Sequence, residues 1–466
     1  MTGAPGSLVD RAALIDAATG AITTYGDLDR SAAEFAAATG QRGLVFLFGD
    51  ATTESIIHYR SAIAAGHAIA LLDATLNPDF ATALVERYRP DLIVSPGGRH
   101  VPAGYRNVLP AVYRRSGEPT SLHPDLAILL TTSGSTGSPK FVRLSRGNID
   151  ANTRSIIESL SLTGTDRAIT TLPLFYSYGM SVINTHLAVG GAVVVTDASM
   201  FEGAFWDAVR EHRVTILNGV PSTFAMLKRL RLERMELPSL RAVTQAGGKL
   251  AVEEVERFAD IMAERGGEMY VMYGQTEAAP RIACRGVNGT RQHVGSAGVA
   301  LAGGQLSIVG EDGRAVGDGV IGEVRYRGPN VMMGYAERPD DLQNGDQTDG
   351  VLLTGDLGRL EDGFLYITGR TKRIAKVSGV RISLDEVEAL VAGRGPVAAV
   401  PGMRDDIVMF TEWGAQDEFK QLQRQLCADL NLPPKSIELR RVDTLPVMSS
   451  GKVDYRRLQE SLEEEK

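Results

Sequence analysis

Residues 126 to 140 read LAILLTTSGSTGSPK, an apolar run that enters a loop of Thr, Ser and Gly and closes on Pro139-Lys140. Such a loop can cradle phosphates. Gly134 and Gly137 let the backbone turn its N–H groups inward, the hydroxyls of Thr132, Ser133, Ser135 and Thr136 donate further bonds, and Lys140 adds positive charge. The spacing departs from a Walker A motif, in which Lys directly follows the second Gly. By composition alone the same segment also suits a surface turn.

Further segments join it along the chain: YGQTE at Tyr273 to Glu277, GEVRYRGPNVMMGY at Gly322 to Tyr335, TGDLG at Thr354 to Gly358, GRTKRIAKVSGVRISLDEVE from Gly369, and GKVDYRRL at Gly451 to Leu458. With TTSGSTGSPK they closely resemble, in the same order, the motifs of the adenylate-forming superfamily of acyl-CoA synthetases, peptide-synthetase adenylation domains and luciferases. The resemblance covers nearly the whole chain. It implies ATP-dependent activation of a small-molecule carboxylic acid as acyl-AMP, with release of pyrophosphate. Transfer to a thiol would follow, on CoA or on the pantetheine of a separate carrier protein.

The reaction says what each residue would do. A carboxylate attacking the α-phosphate brings two anions together, so positive charge must be strongest where negative charge accumulates in the transition state. The resemblance gives that catalytic role to Lys452, bridging carboxylate and α-phosphate, with Lys140 beside the phosphates. Glu277 would hold Mg²⁺, a hard ion that prefers oxygen. Nucleotide contacts fall to the loop 132–137, to Gly248 and Lys249, and to Tyr273, Gly274, Gln275 and Thr276. The Tyr273 ring would face adenine. Asp356 can accept both ribose hydroxyl protons, and Arg370 supplies donors to ribose or phosphate. Lys372 stands at the family's hinge residue, and Gly379 where a pantetheine arm enters.

The acid pocket would be formed by Tyr176, Ser177, Gly179, Val182, Gly247 and Ala278. Amino-acid-activating members place Asp at the position of Ser177, where it pairs with the substrate's α-ammonium; acyl-CoA synthetases commonly have His at the position of Tyr176. A buried ammonium without a carboxylate partner costs several kcal/mol on the order-of-magnitude scale for buried charges, so an aryl, acyl or keto acid is expected. Phe141 replaces the glycine that usually follows the loop lysine, and Glu388 to Val408 reads as abbreviated relative to the family's lid. The acceptor therefore stays open. An ATP-dependent amide synthetase that offers the adenylate to an amine is the alternative enzyme, and an inactive nucleotide-binding sensor is the alternative of another class. No G-x-S-x-G nucleophile elbow occurs.

Apolar runs rich in Leu, Val and Ile must position these residues. Leu44 to Phe48 reads as a strand, Glu54 to Ala65 as a helix stopped at Gly66, and Ala68 to Leu72 as a strand. The pattern returns with a helix-like stretch at Asn184 to Val189 and strands at Ala192 to Thr196, Val214 to Leu217 and Leu240 to Val243. The fold class expected is α/β: a large amino-terminal domain, 1–371, of helix-covered, mostly parallel sheets with a β-rich part at about 298–371. A small mobile α+β lid, 372–466, completes it. The basic stretch Gly369 to Lys376 reads as a linker or, more often for charge runs, a solvated face.

The 466 residues, 43% hydrophobic, allow more than one domain. The net charge of -8, with basic residues dispersed, leaves no extended nucleic-acid footprint. Cys284 and Cys427 form no C-x-x-C motif and the seven histidines are scattered, so neither a disulfide framework nor a zinc cluster is expected. No apolar run approaches the ~20 residues of a membrane span and the amino terminus lacks a signal pattern, which makes a cytoplasmic location the default.

Overall fold

The structure is a computed structural model that describes residues 7–131, 140–371, 373–377, 380–403, 406–430, 432–448 and 451–464. Its first βαβ unit follows from local chemistry. The strand Leu44–Gly49 is buried at every position, so it belongs inside a sheet covered on both faces. The helix Thr53–Ala64 starts where the Thr52 side chain accepts from the Ser55 N–H, and the chain leaves it through Gly66 at φ +82°. Strand Ala68–Asp73 then pairs in parallel, with Leu44 beside Ala68. The next strand, Leu126–Thr131, lies parallel to it and delivers the chain to the Thr/Ser/Gly loop.

Past that loop, Phe141–Ser145 returns antiparallel along Leu126–Thr131. Phe141 is fully buried, its ring 5.1 Å edge-on from Tyr88 and 6.1 Å from Phe46. The bulky residue that departs from the family pattern is therefore a core wedge that fixes where the loop ends.

Among the described residues these strands belong to an eight-stranded sheet, and a nine-stranded sheet holds most of the rest of the large unit. Both are parallel at the centre and antiparallel at the edges. The pocket helix, Ser177–Ala188, packs Met180, Ile183 and Leu187 into the core that both sheets share. Two strands of the second sheet, Ile216–Gly219 and Ala242–Gln245, begin two residues later than their apolar runs. Val214 donates its N–H to Val209 and Leu240 to Leu237, so each buried residue closes a preceding turn before the ladder begins.

The β-rich part is a four-stranded antiparallel sheet: Gln305–Val309, Gly322–Arg327, Val351–Glu361 and Phe364–Arg370. It is less self-contained than the expected span 298–371. Val299–Ala300 pairs at the edge of the nine-stranded sheet, and Gly334–Ala336 pairs with Phe141–Ser145. After it come the hairpin Ile374–Val377/Val380–Ser383 and a three-stranded sheet of Val397–Pro401, Ile407–Thr411 and Ile437–Arg441. The helices Gln416–Asp429 and Tyr455–Glu464 pack against that sheet.

The basic stretch does not form a solvated face at Arg373. Its guanidinium pairs with Asp385 and Glu388, donates to the Ala399 carbonyl, and lies 3.9 Å over the Tyr455 ring. One arginine thus ties the helix Leu384–Ala389, the three-stranded sheet and the terminal helix together. Arg370, three residues earlier, pairs instead with Asp356 at 2.8 Å in the β-rich sheet.

Candidate active site

The strand Glu268–Gly274 ends at a crowded turn. A Cβ on Gly274 would stand 1.9 Å from the Pro280 carbonyl oxygen, so the chain can double back here only without a side chain. The turn Thr276–Ala278 presents Glu277, whose carboxylate accepts from the Tyr335 hydroxyl at 2.8 Å. Lys140 lies over the other side of that tyrosine, its Nζ 3.8 Å from the ring centroid. Arg143 holds this arrangement from below: it is fully buried and donates to the carbonyls of Met333 and Tyr335 and to Gln347 Oε1. Burial, with the Glu277 charge beside it, pushes the Tyr335 hydroxyl well above its ordinary pKa, so it remains a donor.

Tyr273 donates to Asp356 Oδ2 at 2.5 Å, and Arg370 Nε reaches Asp356 Oδ1 at 2.8 Å. Asp356 and Arg370 stand opposite each other on neighbouring strands, which explains how residues 14 apart in sequence meet. Asp356 is 4% exposed, and each of its oxygens holds one donor and has lone-pair capacity left. Gln275 Nε2 points to the Thr354 carbonyl at 3.4 Å. The Gly248 carbonyl takes the Gln245 side chain at 2.6 Å, and Lys249 is exposed with its charge felt by Asp385.

Lys452 comes from the far end of the chain and is half-buried here. Its Nζ lies 5.1 Å from the Tyr176 ring centroid, and its Cε would be 3.4 Å from a Cβ on Gly247. The Gly451 carbonyl accepts from Ser222 at 3.3 Å. Burial and the nearby Arg370 charge push the Lys452 ammonium down to about 8 against the opposing pull of Asp356 and Glu277. The Gly247 position is also close, though less so than Gly274: a Cβ there would stand 2.5 Å from the Tyr176 hydroxyl, and φ is +84°. Ser177, 4% exposed, faces the Thr276 hydroxyl at 3.4 Å, and Ala278 is fully buried below. Gly179 and Val182, further along the pocket helix, line a small cavity with Leu172 and Val193 on the core side.

The family model described as AMP-binding enzyme matches residues 4–336. The chain belongs to the AMP-binding enzyme family. Among the relatives of this AMP-binding enzyme, the indoleacetate–CoA ligase of Aromatoleum aromaticum is 34% identical over 315 residues, 65% of this chain and 59% of the relative. The sulfoacetate–CoA ligase of Cupriavidus necator is 31% identical over 399 residues, 82% of this chain and 76% of the relative. In fold, the enzyme is similar to the o-succinylbenzoate CoA synthetase of Bacillus subtilis solved with its acyl-adenylate: TM-score 0.78, 23% identity, 96% of this chain and 95% of that one. The two-domain, mixed α/β architecture of adenylate-forming enzymes is thereby shown.

In this AMP-binding enzyme the residues expected from 132 to 137, with Lys372 and Gly379, lie outside the described residues. Lys140 and Glu277 meet on Tyr335, Tyr273 and Arg370 meet on Asp356, and Lys452 lies in the field of Glu277, Asp356 and Arg370, although these residues span most of the chain. Four residues absent from the sequence expectations join them: Tyr335, Arg143, Tyr178 and Arg281. A signal existed for the last, a cation opening the otherwise apolar run RIAC of the strand Arg281–Gly286, but the motif vocabulary carries no place for it.

Glu277 fits a divalent ion. One of its oxygens receives the Tyr335 proton while the other is uncommitted, and among the described residues no three acidic, His or Cys side chains gather to form a cage. A single carboxylate completed by phosphate oxygens and water is the habit of Mg²⁺ rather than of a structural metal. No helix among the described residues is long and apolar enough to cross a membrane.

Proposed function

We propose that the chain activates a carboxylic acid lacking an α-amino group as its acyl-adenylate and passes the acyl group to CoA. The observation that carries the activation step is the placement of Lys452 against Tyr176 and Gly247, within the field of Asp356 and Glu277. A desolvated ammonium fixed there meets the charge that grows as carboxylate and α-phosphate oxygens crowd together, and it needs no rearrangement to do so. Tyr273, Asp356 and Arg370 would hold the nucleoside, Lys140 the outer phosphates. Mg²⁺, carried by Glu277, would offset phosphate charge when bound. Ser177 and the small Gly247 and Ala278 leave the acid a neutral wall with no counter-charge for an ammonium.

CoA is favoured as acceptor by the relatives, which are named as CoA ligases for indoleacetate, sulfoacetate, ferulate and 2-succinylbenzoate. Transfer would need the unit 372–466 to turn as a lid on the unit 1–371, about Lys372. The partner switch between Arg370 and Arg373 supports a joint there. The reading is tested by ATP–pyrophosphate exchange over aryl, alkyl, keto and amino acids, followed by addition of CoA, pantetheine and amines to the preformed acyl-AMP. Exchange with non-amino acids and consumption by CoA are expected. Consistent preference for amino acids over their des-amino partners would overturn the substrate class, and consumption by amines alone would overturn the acceptor.

A further inference from the structure

Arg281 is a buried cation without a counter-ion. It is 2% exposed, and among the described residues its Nε has no hydrogen-bond partner and no carboxylate reaches its guanidinium. What it touches is aromatic: its Cζ lies 4.5 Å from the Tyr178 ring centroid, and Tyr176 is the next aromatic neighbour in its field. Tyr178 is held in place by Thr244, whose hydroxyl lies 2.6 Å from the phenol oxygen. A cation–π contact offsets only a small part of the desolvation of a guanidinium. The other deeply buried arginines behave differently. Arg143 spends its donors on Met333, Tyr335 and Gln347, and Arg285, although its Nη2 finds no partner among the described residues, donates from Nε and Nη1 to Ser296 and Thr290.

The location gives this unpaired charge its meaning. Arg281 stands directly across the ladder from Gly274, four residues beyond Glu277 and three beyond Ala278. Lys452 borders Tyr176, Tyr176 borders Tyr178 with ring centroids 6.3 Å apart, and Tyr178 borders Arg281. The two tyrosines therefore stand in a row between Lys452 and a second cation. An acid with one carboxylate matches the first only.

We propose that Arg281 is the specificity-determining counter-ion for a second anionic group, carboxylate or sulfonate, at the far end of the acid substrate. The proposal rests on the adenylation reading and narrows its substrate class from acids without an α-amine to acids with a distal anion. A guanidinium offers planar paired donors to either oxyanion, and burial makes that pairing discriminating because an uncharged tail would leave the cation unmatched.

The test is ATP–pyrophosphate exchange with matched acids: butanoate against butanedioate, pentanoate against pentanedioate, and phenylacetate against 4-carboxyphenylacetate and 4-sulfophenylacetate. The wild type should favour the dianionic members by at least ~10-fold in kcat/KM. Arg281→Met should erase that preference mainly through KM while leaving the rates with monoanionic acids within a few-fold, and Arg281→Lys should retain part of it. A structural role is separated by thermal melting. Removing an uncompensated buried charge should leave the midpoint of Arg281→Met unchanged or higher, whereas loss of a structural arginine lowers it.

An unchanged preference in a folded Arg281→Met protein would overturn the assignment, as would equal losses for mono- and dianionic acids, which would place Arg281 on the reacting carboxylate. Exchange by the wild type that ignores the distal charge overturns this inference alone. No exchange with any acid, amino acids included, overturns the adenylation reading with it.

Discussion

At the scale of single residues, Lys452 is set apart by what burial does to its charge. Its pKa is pushed down to about 8, so the protonated form that the reaction requires is lost as pH rises through that value. The pH profile of kcat/KM for adenylation should accordingly fall on the alkaline side with an apparent pKa near 8. Lys452→Arg should keep residual activity and remove that limb, since a guanidinium stays charged. Lys452→Ala should lower exchange by at least ~10²-fold, the usual size for one preorganised stabiliser, yet still consume preformed acyl-AMP. Normal exchange by a folded Lys452→Ala protein would remove the lysine from the mechanism. Motif order made this residue legible in the sequence, because the chemistry demands a cation there. Arg281 stayed illegible because what sets it apart is that its guanidinium has no hydrogen-bond or carboxylate partner among the described residues, which only packing reveals.

Among the elements, the strand Glu268–Gly274 and its return Arg281–Gly286 place most of the site, and they do so by close approach. Gly274→Ala would drive a methyl group into the Pro280 carbonyl, separating the two strands where Tyr273, Glu277 and Arg281 are set. A stability loss of about 1–3 kcal/mol, the range for overpacking, is expected in chemical denaturation, with a larger proportional fall in exchange. Exchange at the wild-type level would mean that the turn can relax without moving the site. Apolar runs announced these strands well, yet the starts of Ile216–Gly219 and Ala242–Gln245 moved by two residues. A run records what is buried, whereas a ladder begins where the preceding turn has finished with its N–H groups. The bond from Tyr335 to Glu277 crosses 58 positions, a distance at which local pattern is silent.

Over the whole molecule, the chain passes from one set of partners to another within three residues. Arg370 and Thr371 are bound to Asp356 and Gly355, and Arg373 to Asp385 and Glu388. Lys372→Pro would fix φ near -65° at the expected pivot. It should leave pyrophosphate exchange largely intact while slowing CoA acylation, measured separately on preformed acyl-AMP. Equal loss in both half-reactions would make Lys372 a folding or binding residue. The basic character of this stretch was visible from composition. Its division between two masters was not, since both halves read alike as charge.

That division also bears on descent. Arg281, Ser177 and Gly247, the residues proposed to face the acid, are all encoded upstream of Thr371, and among the described residues Ser222 donates a side-chain hydrogen bond of 3.3 Å to the downstream Gly451 carbonyl. A recombination event between Thr371 and Arg373 would divide no sheet among the described residues. Lineages of such enzymes could then inherit a new acid preference from one ancestor and keep the acylation machinery of another.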